Sequence, residues 1–124
     1  MFQGGRVTVL GDRDLLHQAL MNIVVNAVEA TPSGGEVLVD ASESDRHCRL
    51  KISDTGPGIP ETVRKKIFQL YFTTKSGGSG IGLAVAYRSL QLHGGDITVK
   101  TEIGRGTTFE LALPAMQTEA VASA

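Results

Sequence analysis

Apolar residues recur at helical spacing between Arg13 and Thr31, at Leu16, Leu20, Ile23 and Ala27, with no glycine or proline inside the run. Asp12 precedes the run as an N-cap, and Thr31-Pro32-Ser33-Gly34-Gly35 ends it. Strict alternation then takes over. Val37, Val39 and Ala41, then Cys48, Leu50 and Ile52, predict an antiparallel hairpin over 36–41 and 48–54, joined by a polar turn at 43–47. Pro60 opens a short helix whose inner positions are Val63, Ile67 and Leu70. A further helix runs from Gly80 with Leu83, Ala86, Tyr87 and Leu90 inward, and Gly94-Gly95 ends it. A second hairpin is predicted over 96–101 and 107–113, closed by Pro114. With a short strand at 6–10, this order predicts an α/β two-layer sandwich. Its mixed sheet of about five strands carries three helices on one face. Alternation rather than continuous apolar runs argues for a sheet buried on one side only.

Composition narrows the class. The 124 residues suit one domain, expected over 6–114, with residues 1–5 as a fragment boundary and 115–124 as a disordered tail. Net charge is −1, so no basic field draws nucleic acid, and no partner of that kind is expected. No apolar run is long enough to span a bilayer and no signal peptide is read. The expectation is therefore a cytoplasmic domain without direct membrane contact, whose parent protein is free to be membrane-anchored. Cys48 is the single cysteine, which excludes an intramolecular disulfide and fits a core position on its strand.

The candidate chemistry clusters in loops. Ser76-Gly-Gly-Ser-Gly-Ile-Gly-Leu83 runs from a flexible loop into a helix, where backbone N–H groups and a helix N-terminus suit phosphate. It is not a P-loop, because the chain has no Gly-Lys pair, nor a dinucleotide fingerprint, because Leu83 stands where the third glycine belongs. Asn22 and Asn26 share one helix face at the flank of the apolar stripe. They are either solvated amides or the edge of a pocket, where an amide oxygen suits magnesium. Asp54 ends a strand and begins Asp54-Thr-Gly-Pro-Gly-Ile-Pro60. It either bonds its own backbone as a turn former or accepts a hydrogen bond from an exocyclic amine. Phe68, Tyr71 and Phe72 are core residues or anchors of a lid. Arg64-Lys65-Lys66 is a solvated face or a surface for an acidic partner.

Taken in order, these stretches resemble a known family. Residues 22–30 (NIVVNAVEA) resemble its N box, 54–60 (DTGPGIP) its first glycine box, 67–75 (IFQLYFTTK) its F box and 77–83 (GGSGIGL) its second glycine box. Residues 104–114 (GRGTTFELALP) look like its closing hairpin. The resemblance is to the catalytic, ATP-binding domain of bacterial sensor histidine kinases, with the Bergerat fold of the GHKL superfamily. That superfamily also holds gyrase, Hsp-type chaperones and mismatch-repair ATPases.

The resemblance implies roles. Asn26 would ligand Mg2+ bridging the ATP phosphates, with Asn22 beside it; these two would be the catalytic pair. Asp54 would accept from the adenine amino group, with Gly56, Gly58 and Ile59 closing on the base and Thr107 at the floor. A lid over roughly 71–79 would include Phe72 and Lys75, the latter a phosphate contact. Gly78, Gly80, Ile81, Gly82 and Leu83 would offer the phosphates their backbone. Two departures stand out. Glu29 and Ala30 replace the basic and aromatic residues that many of these kinases carry there. The phosphoacceptor histidine motif is also missing, because His17, His47 and His93 all lack the following residues it needs.

The expected function is presentation of the ATP γ-phosphate to a histidine on a separate dimerisation domain, in a two-component phosphorelay that ends on a response regulator. The isolated domain is expected to be monomeric. A gyrase-like ATPase clamp is the alternative, but it needs a glutamate base where Asn22 stands, and an amide cannot take a proton from water. A serine kinase of the anti-sigma type is disfavoured by the F box. A module that only senses ATP shares all the binding residues.

Overall fold

The computed structural model describes residues 11–44, 46–69 and 81–115. The first helix, α1 (Arg13–Ala30), begins where Asp12 accepts a hydrogen bond from Leu15 N at 3.0 Å. It stops at Thr31, whose hydroxyl turns back to Ala27 O at 2.8 Å. The buried stripe is centred on Ala19, Ile23 and Ala27, with Leu16 and Leu20 half-buried on its flank. Two of the three central residues are alanines, which lets α1 approach its neighbours closely.

Two hairpins follow. Strands β1 (Val37–Ser44) and β2 (His47–Asp54) pair first, β1 running three residues beyond its expected end at 41. Strands β3 (Asp96–Glu102) and β4 (Gly106–Pro114) pair second, around Gly104 in a left-handed conformation at φ 83°. Strand β4 then joins β2, giving the order β1-β2-β4-β3 with every pair antiparallel. The described sheet therefore has four strands and is not mixed, where about five in a mixed sheet were expected. The expected strand at 6–10 lies outside the described residues.

The register sorts side chains into rows across the sheet. Val39, Ile52, Phe109 and Val99 form one inner row, and Ala41, Leu50, Leu111 and Ile97 the next. Phe109 and Ile52 are completely buried, because β2 and β4 are central. The alternation in β1 overstates its burial. Val39 keeps 39% of its surface because β1 is an edge strand.

Helix α2 (Glu61–Arg64) is one turn long, with Pro60 as its N-cap rather than its first residue. Arg64 turns back onto Glu61 through two hydrogen bonds, so it is engaged on the surface and not left bare for a partner. Beyond it, Phe68 stacks on Tyr87 with ring centroids 5.0 Å apart and meets the edge of Phe109 at 6.2 Å. Phe68 is thus a core anchor. Helix α3 (Gly82–Leu92) buries Ala86 and Leu90, with Leu83 and Tyr87 half-buried against the core, as its spacing predicts. It begins at Gly82 rather than Gly80. Its end is a Schellman turn, with Gly94 at φ 73° and Gly95 N bonded to Leu90 O at 2.7 Å.

Candidate functional site

A third inner row lies at the end of the sheet, where Val37, Asp54, Thr107 and Thr101 stand side by side. Strand pairing places the Asp54 carboxylate beside the Thr107 backbone. Asp54 is buried, at 7% exposure, and its Oδ1 accepts two backbone hydrogen bonds, from Gly56 N at 2.9 Å and Thr107 N at 3.2 Å. The turn-former reading of this residue holds. One oxygen closes the turn of its own loop and clamps the neighbouring strand. Because both donors converge on Oδ1, the carboxylate plane is fixed and Oδ2 is the oxygen they do not use.

The glycine loop after Asp54 is held on four further points. Pro57 O accepts from Gly104 N at 2.8 Å, in the turn between β3 and β4. Ile59 N donates to Thr101 Oγ1 at 2.8 Å. Gly56 packs on the end of α1 so tightly that an added Cβ would lie 2.6 Å from Ala30 O. Gly58 adopts φ 83° and faces Glu102 O, where a Cβ would lie at 2.5 Å. These two glycines are therefore packing requirements between α1, the loop and the closing hairpin. A ligand approaching the loop meets bare backbone.

Asp54, Thr101, Gly106 and Thr107 line an open cleft of about 520 Å³ at the end of the β3–β4 hairpin, with Lys100 and Arg105 on its rim. Asn22 and Asn26 do not line it. They sit one turn apart on α1, both half-buried. Asn22 Nδ2 donates to Gly82 O at 3.1 Å, tying the middle of α1 to the first residue of α3. This orients its amide, because the nitrogen faces Gly82 and the oxygen must point the other way. The start of α3 has no side-chain cap and no acidic residue in its first turn. Its first intrahelical bond is Val85 N to Ile81 O at 2.9 Å, so the Gly82, Leu83 and Ala84 N–H groups have no acceptor within the helix. That end favours an anion.

The site residues thus form two groups. Asp54, Gly56, Gly58, Ile59 and Thr107 are gathered at the sheet end; Asn22, Ile81, Gly82 and Leu83 meet where α1 touches α3. Helix α1 joins them, with Asn22 at one end and Ala30, against Gly56, at the other. Eight residues at the α-helical rise set them about 12 Å apart. Asn26 lies between. Phe72, Lys75, Gly78 and Gly80 lie outside the described residues. Thr101 is the site residue that sequence reasoning missed. Its signal was the alternation of Ile97 and Val99, which puts residue 101 on the same face as Thr107.

No cluster of three or more His, Cys, Asp or Glu side chains suited to a metal exists among the described residues. A cation here would have to take most of its ligands from a substrate and water. His93 is structural: Asp12 N donates to its Nε2 at 2.9 Å, which leaves Nδ1 to donate to Ser89 O at 2.7 Å. Among the described residues no helix is long and apolar enough to cross a membrane.

Comparison with known proteins shows the family. The family model described as histidine kinase-, DNA gyrase B- and HSP90-like ATPase matches residues 11–117. The signal transduction histidine-protein kinase AtoS of Escherichia coli K12 is 44% identical over 104 residues, covering 83% of this chain and 17% of that protein. Sporulation kinase C of Bacillus subtilis 168 is 35% identical, covering 84% of this chain and 24% of that protein. The chain therefore spans about a fifth of the length of these relatives. Among solved structures, the mycobacterial sensor histidine kinase MprB superposes with TM-score 0.79 at 36% identity, covering 86% of this chain and 74% of that one. Full-length ShkA in complex with AMPPNP superposes with TM-score 0.83 at 35% identity, covering 94% of this chain and 25% of that one.

Proposed function

The chain belongs to the family of histidine kinase-, DNA gyrase B- and HSP90-like ATPases and is an ATP-binding catalytic domain of the sensor histidine kinase type, and on that premise we propose how its residues divide the work. The observation that carries the reading is the doubly held Asp54 carboxylate beside backbone-walled glycines. Oδ2 accepts from the adenine amino group. Gly56, Gly58 and Ile59 form the wall against the base, with Thr107 at its floor. Gly82 and Leu83, at the uncapped start of α3, take the phosphates together with Lys75, Gly78, Gly80 and Ile81, and Phe72 belongs to the lid. The separation of the two groups along α1 suits an elongated ligand with a neutral end and an anionic end.

Mg2+ fits this donor set. Asn26 is a neutral oxygen ligand of the kind magnesium accepts when phosphates and water complete its shell. The outward amide oxygen of Asn22 is placed to hold one of those waters. Bound there, the ion would supply charge neutralisation between the phosphates. The chain's own residues hold and orient the nucleotide, so that the γ-phosphate is presented to an external nucleophile; catalysis is positioning and charge stabilisation.

That nucleophile is a histidine on a helical dimerisation domain of the parent protein, from which a response regulator takes the phosphoryl group. The domain over 6–114 acts as a monomer in the cytoplasm, where ATP is supplied. A hydrolytic clamp is disfavoured because the Asn22 amide is engaged with Gly82 O and has no basic group to offer water.

The test has two stages. Calorimetric titration with ATP and GTP, with and without magnesium, is expected to show adenine-selective binding strengthened by the ion. Mixing the chain with a kinase dimerisation domain and γ-labelled ATP is expected to label its histidine, with negligible steady-state hydrolysis by the chain alone. Adenine binding without labelling would leave a nucleotide sensor; absence of binding would remove the reading.

A further inference from the structure

Thr101 carries a hydroxyl that the nucleotide reading does not yet use. It stands on β3 beside Thr107 in the row that begins with Asp54, facing inward from the cleft wall. Three groups meet at its Oγ1. Ile59 N donates to it at 2.8 Å, Thr107 Oγ1 lies at 2.9 Å, and Gly106 O lies at 3.3 Å.

A hydroxyl has one proton and two lone pairs, so the arrangement has few solutions. Ile59 N–H takes one lone pair. The Thr101 proton then goes to Gly106 O or to Thr107. In the first arrangement Thr107 donates to Thr101 and shows only lone pairs to the cleft. In the second Thr101 donates to Thr107, fills one of its lone pairs, and frees the Thr107 proton for the cleft. Passing from the first to the second gives up only the 3.3 Å contact with Gly106 O, which is long for a hydroxyl bond.

The two arrangements suit different bases. Adenine presents an amino donor next to a ring-nitrogen acceptor, which calls for an acceptor and a donor side by side. Guanine presents a carbonyl acceptor next to a ring N–H donor. With Asp54 as the acceptor of the amino group, direct contact with the adenine ring nitrogen needs Thr107 as a donor.

We propose that Thr101 is a positioning residue for base selection: by donating into Thr107 it commits the Thr107 hydroxyl to donate to the ring nitrogen of adenine, and by accepting from Ile59 it holds the glycine loop against the base. Thr101 does not touch the ligand. The proposal rests on the adenine-nucleotide reading of the cleft.

The experiment compares ADP and GDP binding, by calorimetric competition, to the unmodified chain and to Thr101→Val and Thr101→Ser. Valine keeps the shape and loses the hydroxyl; serine keeps the hydroxyl. Thr101→Val is expected to weaken both nucleotides through loss of the Ile59 tie, and to weaken ADP about tenfold more than GDP, because only adenine uses the Thr107 proton that Thr101 directs. The ADP-to-GDP preference therefore collapses. Thr101→Ser is expected to keep that preference within about twofold of the unmodified chain. An unchanged preference in Thr101→Val, with both affinities intact or both reduced together, would overturn the proposal and leave the nucleotide reading standing. Failure of the unmodified chain to bind ADP would overturn both.

Discussion

Replacing Asp54 by asparagine tests the centre of the site, because it changes charge and hydrogen-bonding sense with almost no change in shape. The amide oxygen can take the place of Oδ1 and keep both backbone donors, Gly56 N at 2.9 Å and Thr107 N at 3.2 Å. Each bond falls from the charged range of about 1.5–3 kcal/mol to the neutral range of about 0.5–1.5 kcal/mol, so the unliganded chain should lose about 2 kcal/mol. The amide nitrogen then occupies the position of Oδ2. An adenine amino group meets a donor where it needs an acceptor. One charge-assisted bond is lost and two N–H groups are opposed, which together cost about 3 kcal/mol, or roughly a hundredfold in affinity. Guanine fares differently, since its carbonyl can accept from the new amide. Asp54→Asn should therefore weaken ADP about a hundredfold and narrow the ADP-to-GDP ratio, with urea unfolding run in parallel to keep the two losses apart. ADP binding within about threefold of the unmodified chain, in a variant folded at the assay temperature, would refute the assignment of Oδ2 to the base.

Asn22→Asp turns the donor facing Gly82 O into an acceptor, so it should cost about 2 kcal/mol in urea unfolding and more than Asn22→Ala; equal stability of Asp and Asn would break the α1–α3 tie. Gly106→Ala meets a backbone at φ 133° and a Cβ thrust against the Asp54 carbonyl oxygen, so a loss of about 3 kcal/mol or more is expected, and an unshifted melting curve would contradict that approach of β4 to β2. The Cys48 thiol is pushed up by burial and then by Glu43, its cross-strand partner. The folded chain therefore holds this proton after the unfolded chain has released it. The stability this contributes is present below the ordinary thiol range and is lost as pH rises through the folded value. Alkylation near pH 8 should accordingly be slower than for a free thiol, and faster in Glu43→Gln; equal rates in the two would exclude the Glu43 contribution.

What the sequence made legible is what local chemistry decides. Asp12 and the Thr31-Pro32 break bound α1 within a residue, because a cap and a stop act on the few backbone groups beside them. Spacing alone identified Ala86 and Leu90 as the buried face of α3. Long-range facts were harder. The pattern of β1 cannot reveal that it is an edge strand, so Val39 reads as core and proves part-exposed. Sheet order is no more local: the pairing of β4 with β2 brings Thr107 to Asp54 from 53 residues away. Thr101 was missed because a threonine at a strand end reads as solvated until the register sets it against Thr107 and Ile59. The glycines at 56 and 58 were read as openings for a ligand. They are as much the points where loop, helix and hairpin touch.

That double use has a consequence for how the domain works. The same Oδ1 that closes the glycine loop fixes the plane of the carboxylate, so the Asp54 end of the site is rigid only while the loop, β2 and β4 stay together. At the other end, Asn22 is tied to the first residue of α3, whose opening N–H groups have no acceptor within the helix. Helix α1 touches both, with Ala30 against Gly56 and Asn22 against Gly82, and it contains neither glycine nor proline. In the proposed reading it acts as a ruler that holds the base end and the phosphate end at one separation. A nucleotide that bridges both ends ties the closing hairpin to α3 through α1. Its binding should stabilise elements far from its own atoms, in proportion to its affinity. A base-only ligand such as adenosine should protect backbone amides of 54–59 and 101–107 from hydrogen exchange and leave those of 82–85 unchanged. ADP should protect all three stretches. Equal protection by both would mean that α1 transmits the effect without any contact to phosphate, and the ruler would have to be replaced by a coupled, moving helix.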